Sequence, residues 1–209
     1  DRIVSKQLQW NPGVYKIFDE IVTNAADESQ RNPSVKTIEI TITDSEITVF
    51  NDGVGIPVEI HKEYDIYVCE LIFGNLLSSS NYDDSEKRTV GGLNGLGAKL
   101  TNIYSKEFTV ETKHGNQKYT QVFKNNLSEI GKPKVEKVST KDKEYTKITF
   151  KPDYEKFGLK SLNDNDTFKI LERRVYDICA VTNKGVCVIL NGQKLIKLVF
   201  TINTSLTER

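Results

Sequence analysis

Apolar residues recur at Val14, Ile17, Phe18, Ile21, Val22 and Ala25, the spacing of one face of a helix. The pattern predicts a helix over 13–30 that stops at Asn32-Pro33, because proline lacks an amide to donate and disfavours helical geometry in the residue before it. Beyond that point the period drops to two. Ile38, Ile40 and Ile42 alternate with polar residues over 36–43, Asp44-Ser45 turns the chain, and 46–50 returns as a second strand. A short helix is expected within 65–76, and another over 98–105 opens directly out of a glycine-rich run at 91–97. From Glu107 the pattern reads as hairpins. FTVETK and QKYTQVF flank His114-Gly115-Asn116, and a further pair lies over 133–139 and 144–151. A long helix over 165–182, a strand over 186–191 and an Asn191-Gly192 turn follow. The later connections are too short for parallel crossovers, so the expected class is mixed α/β with a mostly antiparallel sheet.

Composition narrows the classes of function. The 209 residues suffice for one sizeable domain, and 37% hydrophobic with 28% charged content is that of a globular chain. No apolar run approaches the roughly 20 residues of a membrane helix. Lys plus Arg and Asp plus Glu are both 29, which argues against this segment gripping a nucleic-acid backbone by itself. Cys69, Cys179 and Cys187 lack metal-type spacing and read as reduced residues of an intracellular protein. The chain starts at Asp1 and contains no Met, so it is expected to be a piece of something longer: a lead-in over 1–11, a domain over 12–199, and a tail or the start of another domain over 200–209.

Three stretches carry candidate chemistry. Glu20, Asn24 and Asp27 lie at i, i+4 and i+7 on the first helix, within roughly 60° of one another. A carboxamide oxygen is a hard ligand of the kind Mg²⁺ prefers, and a carboxylate one turn away can take a proton from a nearby water. The bland alternative is the polar side of an amphipathic helix. Asp52-Gly53-Val54-Gly55 follows a strand. Its glycines leave room for close approach, and Asp52 offers acceptor oxygens suited to an exocyclic amine, although an ordinary Asp-Gly turn reads the same way. The run Gly91-Gly92-Leu93-Asn94-Gly95-Leu96-Gly97, with Lys99 just inside the next helix, has the character of an anion cradle. Its spacing is not that of a P-loop, and a flexible connector is the competing reading.

The order of these pieces resembles the ATPase superfamily shared by gyrase, Hsp90 chaperones, histidine kinases and mismatch-repair ATPases. KIFDEIVTNAAD, NDGVGIPVEIH, LIFGNLLSSSNYDD, GGLNGLGAKLTNIYS, YTKITFKPD and RRVYDI resemble, in that order, the ATPase domain of eukaryotic-type DNA topoisomerase II. The resemblance covers roughly residues 12–192. It implies a two-layer α/β sandwich with helices on one face of a mixed sheet, binding ATP and Mg²⁺. Glu20 would be the general base, Asn24 the Mg²⁺ ligand, and Asp27 would lie close to the nucleotide. Asp52, beside Gly55, would accept from the adenine amine, with Thr146 helping through a water. Ser79, Ser80 and Asn81 would close over the ribose and phosphates. Asn94, Gly95, Leu96, Gly97 and Lys99 would hold the phosphates, Leu96 through its backbone. The resemblance further implies a nuclear enzyme, or a cytoplasmic one if viral. ATP would drive homodimerisation, and DNA would be bound mainly by other domains. Two departures are visible: Leu93 and Leu96 stand where many members have Arg and Tyr, and no Gln-Thr-Lys tripeptide occurs. A nucleotide-binding module with little turnover, or a chaperone or mismatch-repair ATPase, are the alternatives. His61 and His114 read as structural, His114 as a solvated turn residue.

Overall fold

The computed structural model describes residues 7–75 and 96–196. The first helix, α1 (Pro12–Arg31), starts where Asn11 caps it: Asn11 Oδ1 accepts from the amides of Gly13 at 2.9 Å and Val14 at 3.1 Å. Those are donors that no helical carbonyl can reach. Pro12 opens the helix, where its missing amide costs nothing. The apolar stripe read from the sequence is the buried one, with Val14, Phe18 and Val22 fully enclosed. The lead-in is tied down as well, since Asp166 N donates to Gln9 O at 2.7 Å and Asn11 N to Thr167 Oγ1 at 2.8 Å.

The strands are β1 (Thr37–Ile42), β2 (Ile47–Asp52), β3 (Ser105–His114), β4 (Gln117–Lys124), β5 (Glu129–Ile130), β6 (Lys134–Lys137), β7 (Tyr145–Pro152), β8 (Cys187–Leu190) and β9 (Gln193–Lys194). Among the described residues they form one sheet in the order β5-β4-β3-β7-β2-β1-β8-β9, with β6 also on β4. All pairings are antiparallel except β1 with β8. One expectation fails here. The segments near 133–139 and 144–151 do not pair with each other: β6 adds to β4, whereas β7 inserts between β2 and β3. Burial accounts for the difference. β7 buries Ile148, Phe150 and Pro152 and belongs in the middle of the sheet, while β6 offers only Val135 among charged residues and suits an edge.

Helices α1, α2 (Val68–Gly74), α3 (Gly97–Ile103) and α4 (Thr167–Val181) complete the fold. The buried side chains of α1 and α4 share one core with the inward residues of β1, β2, β3 and β7, including Ile38, Ile40, Val49, Phe108 and Phe150. The residues alternating with these, such as Thr48, Thr149 and Glu107, lie on the opposite face of the sheet and stay partly exposed. This is the expected two-layer sandwich. The cysteines are free thiols, and burial pushes Cys69 up to about 12. Among the described residues no helix is long and apolar enough to cross a membrane.

On the open face Glu107 receives Lys151 Nζ at 2.8 Å and Lys124 Nζ at 3.7 Å. The hydrogen bond from Lys151 is the main reason its carboxyl is held below the ordinary 4.5. A carboxyl with a depressed folded-state pKa stabilises the fold above its unfolded value and loses that contribution as pH falls through the folded value. Glu107→Gln is therefore expected to lower the urea midpoint slightly near pH 7, with the gap to wild type shrinking at a second, acidic pH below the ordinary carboxylate range. Urea titrations at the two pH values check this; an equal gap at both would exclude the ion pair as its source.

Candidate functional site

Glu20, Asn24 and Asp27 project beside the buried stripe of α1. Glu20 Oε1 pairs with Lys16 Nζ one turn back, leaving the Glu20 side chain 22% exposed. That hydrogen bond is the main cause that raises the Lys16 ammonium above its ordinary value. The other oxygen, Oε2, lies against the backbone of Gly97 so closely that a Cβ there would overlap the carboxylate. Gly97 is thus required for contact between α1 and the start of α3, not for an unusual backbone angle. Thr101 fastens the same junction, its hydroxyl lying 2.9 Å from Ile17 O and 3.1 Å from Gly97 O. Asn24 is exposed, and its side chain makes no hydrogen bond to a described residue. Asp27 is partly buried on the same helix.

Asp52 is the last residue of β2 and is 7% exposed. Its Oδ1 accepts from the amides of Lys36 and Thr37, both at 2.7 Å, which ties the strand end to the start of β1. Both bonds fall on one oxygen, so Oδ2 retains acceptor capacity for an outside donor. Thr146 on β7 stands opposite Asn51, and Asp52 stands opposite Tyr145. Directly paired side chains share a face of the sheet, so Thr146 lies with the buried Asn51, and Asp52 pairs with Tyr145 instead.

Gly55 belongs to this end for a reason the sequence did not reveal. A Cβ on it would overlap the carbonyl of Lys113 and come within 2.8 Å of Thr112 Oγ1. What approaches it closely is the protein's own β3. Two side chains that sequence reasoning missed hold the loop: Ile56 N donates to Thr112 Oγ1 at 2.9 Å, and Gly55 N to Glu144 Oε2 at 3.4 Å. His114 is the last residue of β3, and its side chain is 39% exposed, as expected of a solvated residue, with Nδ1 3.5 Å from Glu144 Oε2.

Lys99 is 1% exposed, and burial pushes its ammonium below the ordinary value. Leu96 stands just before α3 and is partly exposed. Ser79, Ser80, Asn81, Asn94 and Gly95 lie outside the described residues. Among the described residues no group of three or more His, Cys, Asp and Glu side chains is placed to hold a metal alone. A depression of about 470 Å³ lined by Phe50, Tyr145, Glu111 and others lies on the open face of the sheet, away from Glu20. Its lining residues alternate with those facing the core, so it is not the space between α1 and α3.

The contact at Gly97 makes a specific demand. Gly97→Ala is expected to destabilise the fold by about 1–3 kcal/mol through overpacking. In a Glu20→Ala background, where the opposing carboxylate is gone, most of that loss should disappear. A double-mutant cycle in urea measures this, and full additivity would refute the contact.

A protein-family model described as histidine kinase-, DNA gyrase B-, and HSP90-like ATPase matches residues 11–156. DNA topoisomerase 2 of Meyerozyma guilliermondii is 52% identical over 199 residues, which is 93% of this chain and 14% of that protein. The solved ATPase and transducer domains of DNA topoisomerase II from Balamuthia mandrillaris superpose with a TM-score of 0.89 at 48% identity, covering 94% of this chain and 51% of that one. The ATPase region of Saccharomyces cerevisiae topoisomerase II gives 0.85 at 46% identity, covering 92% and 56%. The chain spans 14% of the length of that first curated relative and about half of each solved chain. With a match over most of its length and a fold of the same kind, the chain belongs to the histidine kinase-, DNA gyrase B- and HSP90-like ATPase family.

Proposed function

We propose that this chain is the ATP-binding and hydrolysing module of a type II DNA topoisomerase, with Glu20 as general base, and that its ATP-driven homodimerisation gates DNA strand passage. The observation that carries the reading is the packing of the Glu20 carboxylate against Gly97. Amides of a helix's first turn lack intrahelical acceptors and attract phosphate oxygens. In α3 that turn is the part that meets the one carboxylate suited to activating water. Similarity to topoisomerase II ATPase regions at 46–48% identity supports the same assignment. DNA would be bound and cut by other parts of the parent enzyme, in the nucleus, and no membrane is involved.

The adenine amine would donate to Asp52 Oδ2, the oxygen left over from the β1 amides, and Thr146 would assist through a water. Asp27 and Gly55 would line the base end. Ser79, Ser80 and Asn81 would cover ribose and phosphates, and residues 94–97 with Lys99 would hold the triphosphate. The exposed Asn24 carboxamide, with no protein partner among the described residues, fits Mg²⁺, which takes a single protein oxygen alongside phosphate oxygens and waters. Bound there, the ion would neutralise phosphate charge. The water oxygen would attack the γ-phosphorus as its proton passes to Glu20, and the bond to the β–γ bridging oxygen would break, leaving ADP. For that transfer Glu20 must leave Lys16, because a carboxylate already paired with an ammonium is a weaker base.

Glu20→Gln is expected to keep ATP affinity and lower turnover by about 10²–10⁴-fold, the range of general-base contributions. Calorimetry and phosphate release, in the parent enzyme and in this chain, check both halves; equal hydrolysis by variant and wild type would remove Glu20 from the chemistry. Asn24→Ala should abolish most of the Mg²⁺-dependent gain in ATP affinity. Titrations with and without Mg²⁺ measure it, and an undiminished gain would show that Asn24 is not a ligand.

A further inference from the structure

Helix α3 is seven residues long and has little apolar surface to hold it in place. Its buried residues are Ala98, Lys99, Thr101 and Asn102, so only one small apolar side chain is enclosed. Leu100, by contrast, is 42% exposed. The methyl of Ala98 is a small fraction of the apolar surface that Val14, Ile17, Phe18, Ile21 and Val22 bury on α1. Packing of the kind that fixes α1 therefore cannot fix α3. Two neighbouring polar side chains locate it instead.

Thr101, fully buried, ties α3 to α1. A hydroxyl has one proton, and this one is shared between two carbonyls, with Oγ1 2.9 Å from Ile17 O and 3.1 Å from Gly97 O. One carbonyl belongs to each helix. Ile17 precedes Glu20 by one turn, and Gly97 precedes Thr101 by one turn, so the four residues share the contact between α1 and α3. Asn102, also buried, ties α3 to a second helix. Its Nδ2 donates to Phe73 O on α2 at 3.1 Å, while its buried Oδ1 accepts no bond from a described residue. Hydrogen bonds weaken steeply as they bend, so bonds to two different helices restrict both the position and the tilt of α3.

We propose that Thr101 and Asn102 are positioning residues for ATP hydrolysis: by fixing α3 against α1 and α2, they hold the Glu20 carboxylate at the spacing from Gly97 that proton transfer needs. The inference rests on the reading of Glu20 as general base and of Gly97 and Lys99 as phosphate contacts. In that reading the phosphates travel with α3, whereas Glu20 travels with α1. A displacement of α3 therefore separates the base from the water at the γ-phosphorus without releasing the nucleotide. A misplacement on the order of 1 Å is enough to cost up to about 10²-fold in rate. Neither Thr101 nor Asn102 needs to touch the nucleotide.

Phosphate release by the parent enzyme at saturating ATP with Mg²⁺, and calorimetric ATP affinity of the same variants, test this. Thr101→Val keeps the shape and removes the hydroxyl. Turnover should fall about tenfold while ATP affinity changes by less than about twofold. Thr101→Ser, which keeps the donor, should restore turnover. Asn102→Ala should show the same split between turnover and affinity, and it decides the matter if Thr101→Val fails to fold. A parallel fall in affinity and turnover would mean a general structural role and overturn the proposal. So would unchanged turnover in folded Thr101→Val, or in Asn102→Ala if that is the variant that folds. Adding Thr101→Val to Glu20→Gln should cost little more, because the group being positioned is gone; a further loss of about tenfold would show that Thr101 acts elsewhere and overturn the proposal. Glu20→Gln alone is the control. If it hydrolyses ATP as fast as wild type, the general-base reading fails and the positioning role falls with it; if it loses turnover while the other variants keep theirs, only the positioning role fails.

Discussion

Burial of one face of α1 governs the rest of the molecule. Val14, Ile17, Phe18, Ile21 and Val22 are all enclosed against the sheet, each contributing about 1.5–3 kcal/mol relative to exposure. The Lys16–Glu20 pair on the same helix is worth only a few tenths of that unit. Packing, not the ion pair, therefore decides how α1 is rotated about its axis. Once that rotation is set, Glu20, Asn24 and Asp27 have no choice of direction, because 3.6 residues per turn fixes them relative to the buried stripe. The polar edge of α1 then meets α3 at Gly97, the position without a side chain.

The other half of the site comes from sheet pairing. Asp52 has a structural duty and a free acceptor, divided between its oxygens: Oδ1 holds the start of β1, and Oδ2 remains. Such a division makes a binding residue rigid, since the side chain is oriented before any ligand arrives. Thr112 extends the same principle one strand further. Its hydroxyl joins the loop after Asp52 to the strand that carries Tyr145 and Thr146.

The periodicity of α1 and the alternation of β1 and β2 were legible because they are local, and they came within a residue or two of the observed bounds. Strand partnership was not local. The segment 134–137 sits close in sequence to β7 yet pairs with β4, and nothing in LysValGluLys announces that beyond its lack of apolar residues. Thr112 and Glu144 were missed for the same reason: a Thr in a strand and a Glu in a polar turn carry no motif, and their partners lie 56 and 89 positions away. Gly55 was singled out as a place of close approach, and from the side of its missing Cβ the carbonyl of Lys113 fills that space. The side chain of His114 is exposed as read, although the residue ends β3 rather than lying in the turn.

The central claim is that a nucleotide lies with its base at Asp52 and its phosphates where α1 meets α3. A crystal structure of this chain with Mg²⁺ and a non-hydrolysable ATP analogue tests it most directly. The account predicts the adenine amine within hydrogen-bonding distance of Asp52 Oδ2, Oδ1 still holding the Lys36 and Thr37 amides, and the γ-phosphate beside Glu20 and the first turn of α3. A nucleotide instead stacked on Phe50 and Tyr145, in the depression on the open face of the sheet, would contradict it.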